Sequence, residues 1–271
     1  MSAIRRGPAL HWLVLGLAVA VCAGWAAFPS SGLYTHGLTP HRVVMLASGL
    51  KLAYLLAGAV FAFRCRDRLE PGNAARPAWF LLSLGLLSTF AGQLCLAPAQ
   101  LVRNETPFPS VADIYFVLSY PMLIAALLVL LRAYREAGFP IGSLAERVGT
   151  LAGVGAITLI VAATILPPVA AAGGDLLGRM LTVAYPVLDL VLLLPLALLL
   201  RVALRLRGSR TGEVWLLLLG GIVCLCAGDA CFAYFQSLGE VRLDSFVHAT
   251  YLLAYGLIAG AAHRQLELLK S

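Results

Sequence analysis

The sequence predicts an all-α, polytopic membrane protein with eight transmembrane helices, arranged as two parallel four-helix repeats with N-in/C-in topology. Three observations lead there. Of the 271 residues, 61% are hydrophobic and only 12% charged. Eight apolar runs are long enough to span hydrocarbon, and basic residues crowd alternate loops. Soluble domains average roughly 45–50% apolar and about 25% charged, and a soluble core of this length cannot hide so much apolar surface. The same composition excludes a disordered chain, a disulfide scaffold and a coiled coil. It also leaves no room for a soluble catalytic domain.

The apolar runs cover residues 10–28, 43–63, 78–97, 111–131, 148–166, 180–200, 214–235 and 246–262, against the about 17–25 residues a span requires. Each must be helical, because lipid offers no partner to free backbone N–H and C=O groups. Unbroken stretches such as 188–200 do not fit the short alternating strands of a β-barrel. The first run admits a second reading. Arg5-Arg6, an apolar stretch and small residues around 23–27 also describe a cleaved signal peptide, although cleavage would leave seven helices and break the duplication described below.

Orientation follows from Lys and Arg. With the N-terminus inside, Arg5, Arg6, Arg64, Arg66, Arg68, Arg76, Arg132, Arg135, Arg147, Arg201, Arg205, Arg207, Arg210, Arg264 and Lys270 are cytoplasmic. Only Arg42, Arg103, Arg179 and Arg242 face outward, and Lys51 lies within a helix. The formal charge of +7 therefore expresses topology, and no nucleic-acid patch is present in it. The expected location is the cell inner membrane, with membrane lipid as a partner.

The chain also reads as a tandem duplication, 1–135 and 136–271. At an offset of 136, Trp79 meets Trp215, Gly85 meets Gly221, and Ala91-Gly92-Gln93-Leu94-Cys95 meets Ala227-Gly228-Asp229-Ala230-Cys231. At 135, Phe116 meets Tyr251, Leu118 meets Leu253, Tyr120 meets Tyr255, and Asp113 falls opposite His248. The first two helices match the fifth and sixth only loosely, through Pro29/Pro167 and Arg64/Arg201. A four-helix repeat is even, so both copies enter in the same direction and a cleft is expected between them. Small residues at 85, 91, 92, 220, 221, 227 and 228 let helix backbones approach closely. Tyr120-Pro121 and Tyr185-Pro186 mark expected kinks.

Ionisable groups inside the spans cost about 2.5–3.5 kcal/mol each at mid-bilayer, so they should face protein or water and pair. Lys51, Asp189 and Asp229 qualify, with Gln93 as the polar counterpart of Asp229. At about 1.5 Å of rise per residue they lie at similar depth, which suggests a Lys51–Asp189 or Lys51–Asp229 pair. Such a pair serves either helix register or a ligand- or proton-responsive site. Asp113 and His248 sit at the outer mouths of helices four and eight. Asp113 and Asp244 read as N-caps, and His248 is either solvated or a group titrating near neutrality. Aromatic residues gather at the same end: Tyr115, Phe116, Tyr120, Phe232, Tyr234, Phe235, Tyr251 and Tyr255. Some belong to an interface belt; those turned inward would line a pocket. The expected ligand site is Lys51, Gln93, Asp113, Tyr120, Asp189, Asp229, His248 and Tyr255.

The six cysteines show no metal spacing and read as inert thiols, with a Cys95–Cys231 disulfide as the alternative. Asn104-Glu105-Thr106 is a formal glycosylation sequon, without meaning in a bacterial protein. Metalloprotease, serine-hydrolase and phosphate-loop motifs are missing, so no enzyme, metal or cofactor is expected.

The stretch Pro107-Phe-Pro-Ser-Val-Ala-Asp-Ile-Tyr-Phe-Val-Leu-Ser-Tyr-Pro121 resembles the multi-helix sensor regions that precede bacterial diguanylate cyclase (GGDEF) or histidine kinase output domains. Leu-Leu-Ala-Tyr-Gly at 252–256 and Ala-Gly-Asp at 227–229 resemble their second-half counterparts. The likeness covers most of helices three, four, seven and eight. His248 departs from it, standing where the pattern has Asp, and no output domain follows the 264–270 tail within this sequence. The resemblance implies a sensor that binds a small-molecule ligand from outside. It would signal through helix eight to a cytoplasmic cyclase or kinase output partner, with a homodimer as a further expectation. The alternative is a small-solute transporter or channel built from the same repeats.

Overall fold

The computed structural model describes residues 6–31, 38–103, 106–139, 142–171, 176–238 and 244–270. Arg5, Asn104, Glu105 and Arg242, named above, lie outside them, as do the side chains of Arg6, Arg103 and Asp244. Eight helices carry the chain: α1 Arg6–Ala27, α2 Pro40–Arg68, α3 Arg76–Pro98, α4 Val111–Glu136, α5 Leu144–Ala171, α6 Leu176–Arg205, α7 Arg210–Leu238 and α8 Asp244–Leu268. A π-helical turn, Ala99–Arg103, extends α3. All eight are long and apolar enough to cross a membrane, and no strand occurs among the described residues.

Several helices outrun their apolar stretches, because caps and turns rather than hydropathy end them. α2 starts where the Thr39 hydroxyl accepts from the Arg42 N–H and Pro40 occupies the first turn, a position where its missing donor costs nothing. α4 and α6 close on glycines with positive φ, Gly138 at 80° and Gly208 at 88°, the left-handed conformation that suits glycine at a helix end. Pro121 and Pro186 stand inside α4 and α6, and the helices run on through both.

Six helices close a ring. α2 packs on α3, α3 on α4, α4 on α6, α6 on α7, α7 on α8, and α8 returns to α2. α1 lies outside against α8, and α5 lies outside against α6 and α7. The extremes of burial follow: 72% of the α8 span is buried, and none of the α5 span. Glycines set the closest approaches. A Cβ on Gly85 would meet the Leu123 side chain, and one on Gly221 would meet Ile258 and the Ala254 carbonyl. Likewise a Cβ on Gly92 would strike the Phe116 ring, and one on Gly228 the Tyr251 ring.

The two ends of the ring differ. At the end holding the 64–76, 132–147 and 201–210 connections, Trp79 meets Trp215 at 6.1 Å between ring centroids and Tyr134 meets Trp215 at 5.4 Å, so indole and phenol fill the centre. Ion pairs Arg201–Glu146 (3.0 Å) and Arg264–Glu213 (3.2 Å) decorate that rim. At the other end the helices part around a cavity.

Candidate functional site

The cavity lies where α3 and α7 end and where α4, α6 and α8 begin, with Lys51 of α2 on one side and residues 106–110 across the mouth. Seven of the eight residues expected from sequence line it: Lys51, Gln93, Asp113, Tyr120, Asp229, His248 and Tyr255. The eighth, Asp189, stands directly behind, bonded to the Tyr120 hydroxyl at 2.9 Å. Its volume is about 120 Å³, room for a few waters or a compact ligand.

One wall is acidic and aromatic. The Tyr120 hydroxyl reaches both Asp189 Oδ1 and, at 2.8 Å, Asp229 Oδ2, while Tyr251 donates its hydroxyl hydrogen to Asp229 Oδ1. A phenol has one hydrogen, so both Tyr120 bonds stand together only if a carboxyl supplies a second. Next to them Tyr185 donates to Asp113 Oδ1 at 2.6 Å. The other Asp113 oxygen accepts from the Ser110 backbone N–H at 2.6 Å. Asp113 therefore belongs to the first turn of α4, with Ser110 preceding it in the capping position, rather than being the cap itself. Tyr251 stacks on Tyr255 with 8° between ring planes, and Phe108 meets Phe232 edge to face.

The opposite wall is rich in donors. Lys51 Nζ stands 2.9 Å from His248 Nδ1. As an ammonium Lys51 can only donate, which puts the ring hydrogen of His248 on Nε2. The expected Lys51–Asp189 or Lys51–Asp229 pair does not form; Lys51 makes no ion pair among the described residues. The three residues share a depth, but Lys51 points across the α2–α8 contact and the two aspartates across α4, α6 and α7. Beside Lys51, Gln100 Oε1 accepts from Ser48 at 2.7 Å and from Gln93 at 3.1 Å.

Of the aromatic residues at this end, Phe116, Tyr120, Phe232, Tyr251 and Tyr255 line the cavity, whereas Tyr115, Tyr234 and Phe235 do not. Sequence reasoning missed Ser48, Gln100 and the role of Tyr185. Gln100 lies beyond the apolar run, yet its seven-residue spacing from Gln93 places both on one helical face. Tyr185 stood out only as the residue before a proline. All six cysteines are free, Cys95 and Cys231 included. No cluster of three metal-ligating side chains occurs among the described residues.

Compared with protein-family models, with curated proteins and with solved structures, the chain matches none.

Proposed function

We propose that this protein is a non-enzymatic sensor of the bacterial inner membrane, built from two parallel four-helix repeats with both termini cytoplasmic. A small ligand binds in the cavity and α8 relays its presence to a cytoplasmic cyclase or kinase partner. One observation carries the proposal: polar residues scattered over five helices, and singled out by their cost in a membrane, converge on one cavity flanked by both halves.

Packing supports the repeat. Gly85 against Leu123 corresponds to Gly221 against Ile258, and Gly92 against Phe116 to Gly228 against Tyr251, each at the sequence offset of the duplication. The α2–α8 contact likewise corresponds to α6–α4. Only α1 and α5 depart, since α1 rests on α8 while α5 rests on its own half. The choice of α8 as the relay rests on its position. It lines the cavity with Val247, His248, Tyr251 and Tyr255, is the most buried span, and ends beside the Arg264–Glu213 pair. A ligand shifts such a system only by its differential affinity for two packings. The aromatic plug of Trp79, Trp215 and Tyr134 closes the opposite end, which favours sensing over transport.

The test fuses the full chain, through α8, to a cyclase or kinase output domain and reads the output of cells moved from minimal to complex medium. Sensing requires a medium-dependent output that disappears in Asp229→Asn and Asp189→Asn. Output that ignores the medium, or survives both substitutions, overturns it, and flux into proteoliposomes lost in Lys51→Ala would establish transport instead.

A further inference from the structure

The two walls differ in hydrogen bonding as well as in charge. On the donor wall Lys51 is 2% exposed and Gln100 1%. Lys51 has three hydrogens and, among the described residues, one acceptor, His248 Nδ1. Gln100 spends its oxygen on Ser48 and Gln93, and its own NH2 group meets no acceptor among the described residues. A donor sealed inside protein without an acceptor costs about 1–3 kcal/mol, and native proteins leave few of them; Lys51 and Gln100 are not sealed in this way but line the cavity. These donors face a cavity, so a ligand oxygen can satisfy them. An anion alone does not suit the site, because the opposite wall already presents Asp113 and Asp229 with the Asp189 carboxyl behind. That wall, with its aromatic faces, suits an ammonium, which draws on both carboxylates and ring quadrupoles.

We propose that the cavity binds a compact amphoteric ligand, with an anionic oxygen group on Lys51, Gln93 and Gln100 and an ammonium group toward Asp229 and Asp113. The inference rests on the cavity being a ligand site and adds the ligand's chemical class. It does not depend on α8 relaying a signal. The same charge pair occurs in free amino acids and in the head group of phosphatidylethanolamine, and the small volume suits either.

The experiment measures thermal unfolding of the purified full chain in detergent. One arm adds ω-amino acids from glycine to 6-aminohexanoate, a ladder of increasing charge separation. A second adds butyrate or butylamine, each bearing one of the charges. A third replaces detergent with mixed micelles of phosphatidylethanolamine or of phosphatidylglycerol. At about 100 times the dissociation constant, one rung of the ladder raises the unfolding midpoint by about 5–10 °C, and the singly charged probes do not. Stabilisation by phosphatidylethanolamine over phosphatidylglycerol identifies the lipid as the source. Either shift is lost in Gln100→Leu and in Lys51→Met, and if Lys51→Met does not fold, Gln100→Leu decides alone. Equal stabilisation by butyrate or butylamine, no shift from any amphoteric probe or lipid, or a shift that survives Gln100→Leu, overturns the proposal. These outcomes are independent of the fusion read-out, so a chain that binds the probe without relaying it is recognised as such.

Discussion

On the α4–α6–α7 side of the cavity, three tyrosine hydroxyls make four hydrogen-bonded contacts with three carboxyls, while on the α2–α3 side one ammonium meets a single ring nitrogen. Both walls are buried and both lie at the same end of the ring. They differ in completeness. The acidic wall is a network closed on itself, which holds α4, α6, α7 and α8 together. The donor wall has hydrogens to spare and holds fewer elements. A saturated network rigidifies, and an unsaturated one waits for a partner. Stability is therefore expected to reside mainly in the first wall, which also offers a ligand charge and ring faces, and the unused hydrogen bonds of recognition in the second.

The sharpest way to break that contrast is Tyr120→Phe, which leaves Asp189 and Asp229 facing one another without their shared hydroxyl. A loss of about 2–4 kcal/mol is expected, read as reduced resistance to denaturant in micelles, and a neutral result would remove the tyrosine network as the stabilising element. Next come Gly92→Ala and Gly228→Ala. The added carbon would stand 2.6 Å from the Phe116 ring or 2.8 Å from the Tyr251 ring, costing about 1–3 kcal/mol each. Similar losses of midpoint in the two variants sharpen the correspondence of the two halves, and a large effect in only one of them weakens it. Lys51→Met should cost about 1 kcal/mol or less, because removing a buried cation that has no counter-charge among the described residues offsets the donor lost to His248 Nδ1. A loss as large as that of Tyr120→Phe would make both walls structural. At the opposite end, Arg264→Ala removes half-exposed ion pairs to Glu213 and Glu267 and should shift stability by about 0.5 kcal/mol or less. Its stability difference from the parent should shrink further as salt is raised.

Much of the site was legible because polar side chains are scarce in an apolar chain. Lys51, Asp189 and Asp229 stood out by cost alone, Asp113 and His248 by their places at helix mouths, and Gln93 by its alignment with Asp229. What stayed hidden had no such contrast. Gln100 lies two residues past a proline, outside an apolar run, Ser48 is an ordinary small residue within one, and Tyr185 is one of several aromatic residues at that end. None of the three announces that its polar atom turns inward. The partnership of Lys51 was misjudged for a related reason: equal depth with the aspartates suggested contact, whereas His248, read as a residue of the helix mouth, proved to be its neighbour.

By itself the sequence determined that eight apolar helices are present, roughly where each lies along the chain and where the scarce polar groups fall within them. Hydropathy and the fixed rise of a helix are properties of one dimension. Only the tertiary structure decided the order of helices around the ring, the outer positions of α1 and α5, and which side chains meet across the cavity. Those depend on the rotation of each helix about its own axis, and the close packing at Gly85, Gly92, Gly221 and Gly228 sets that rotation.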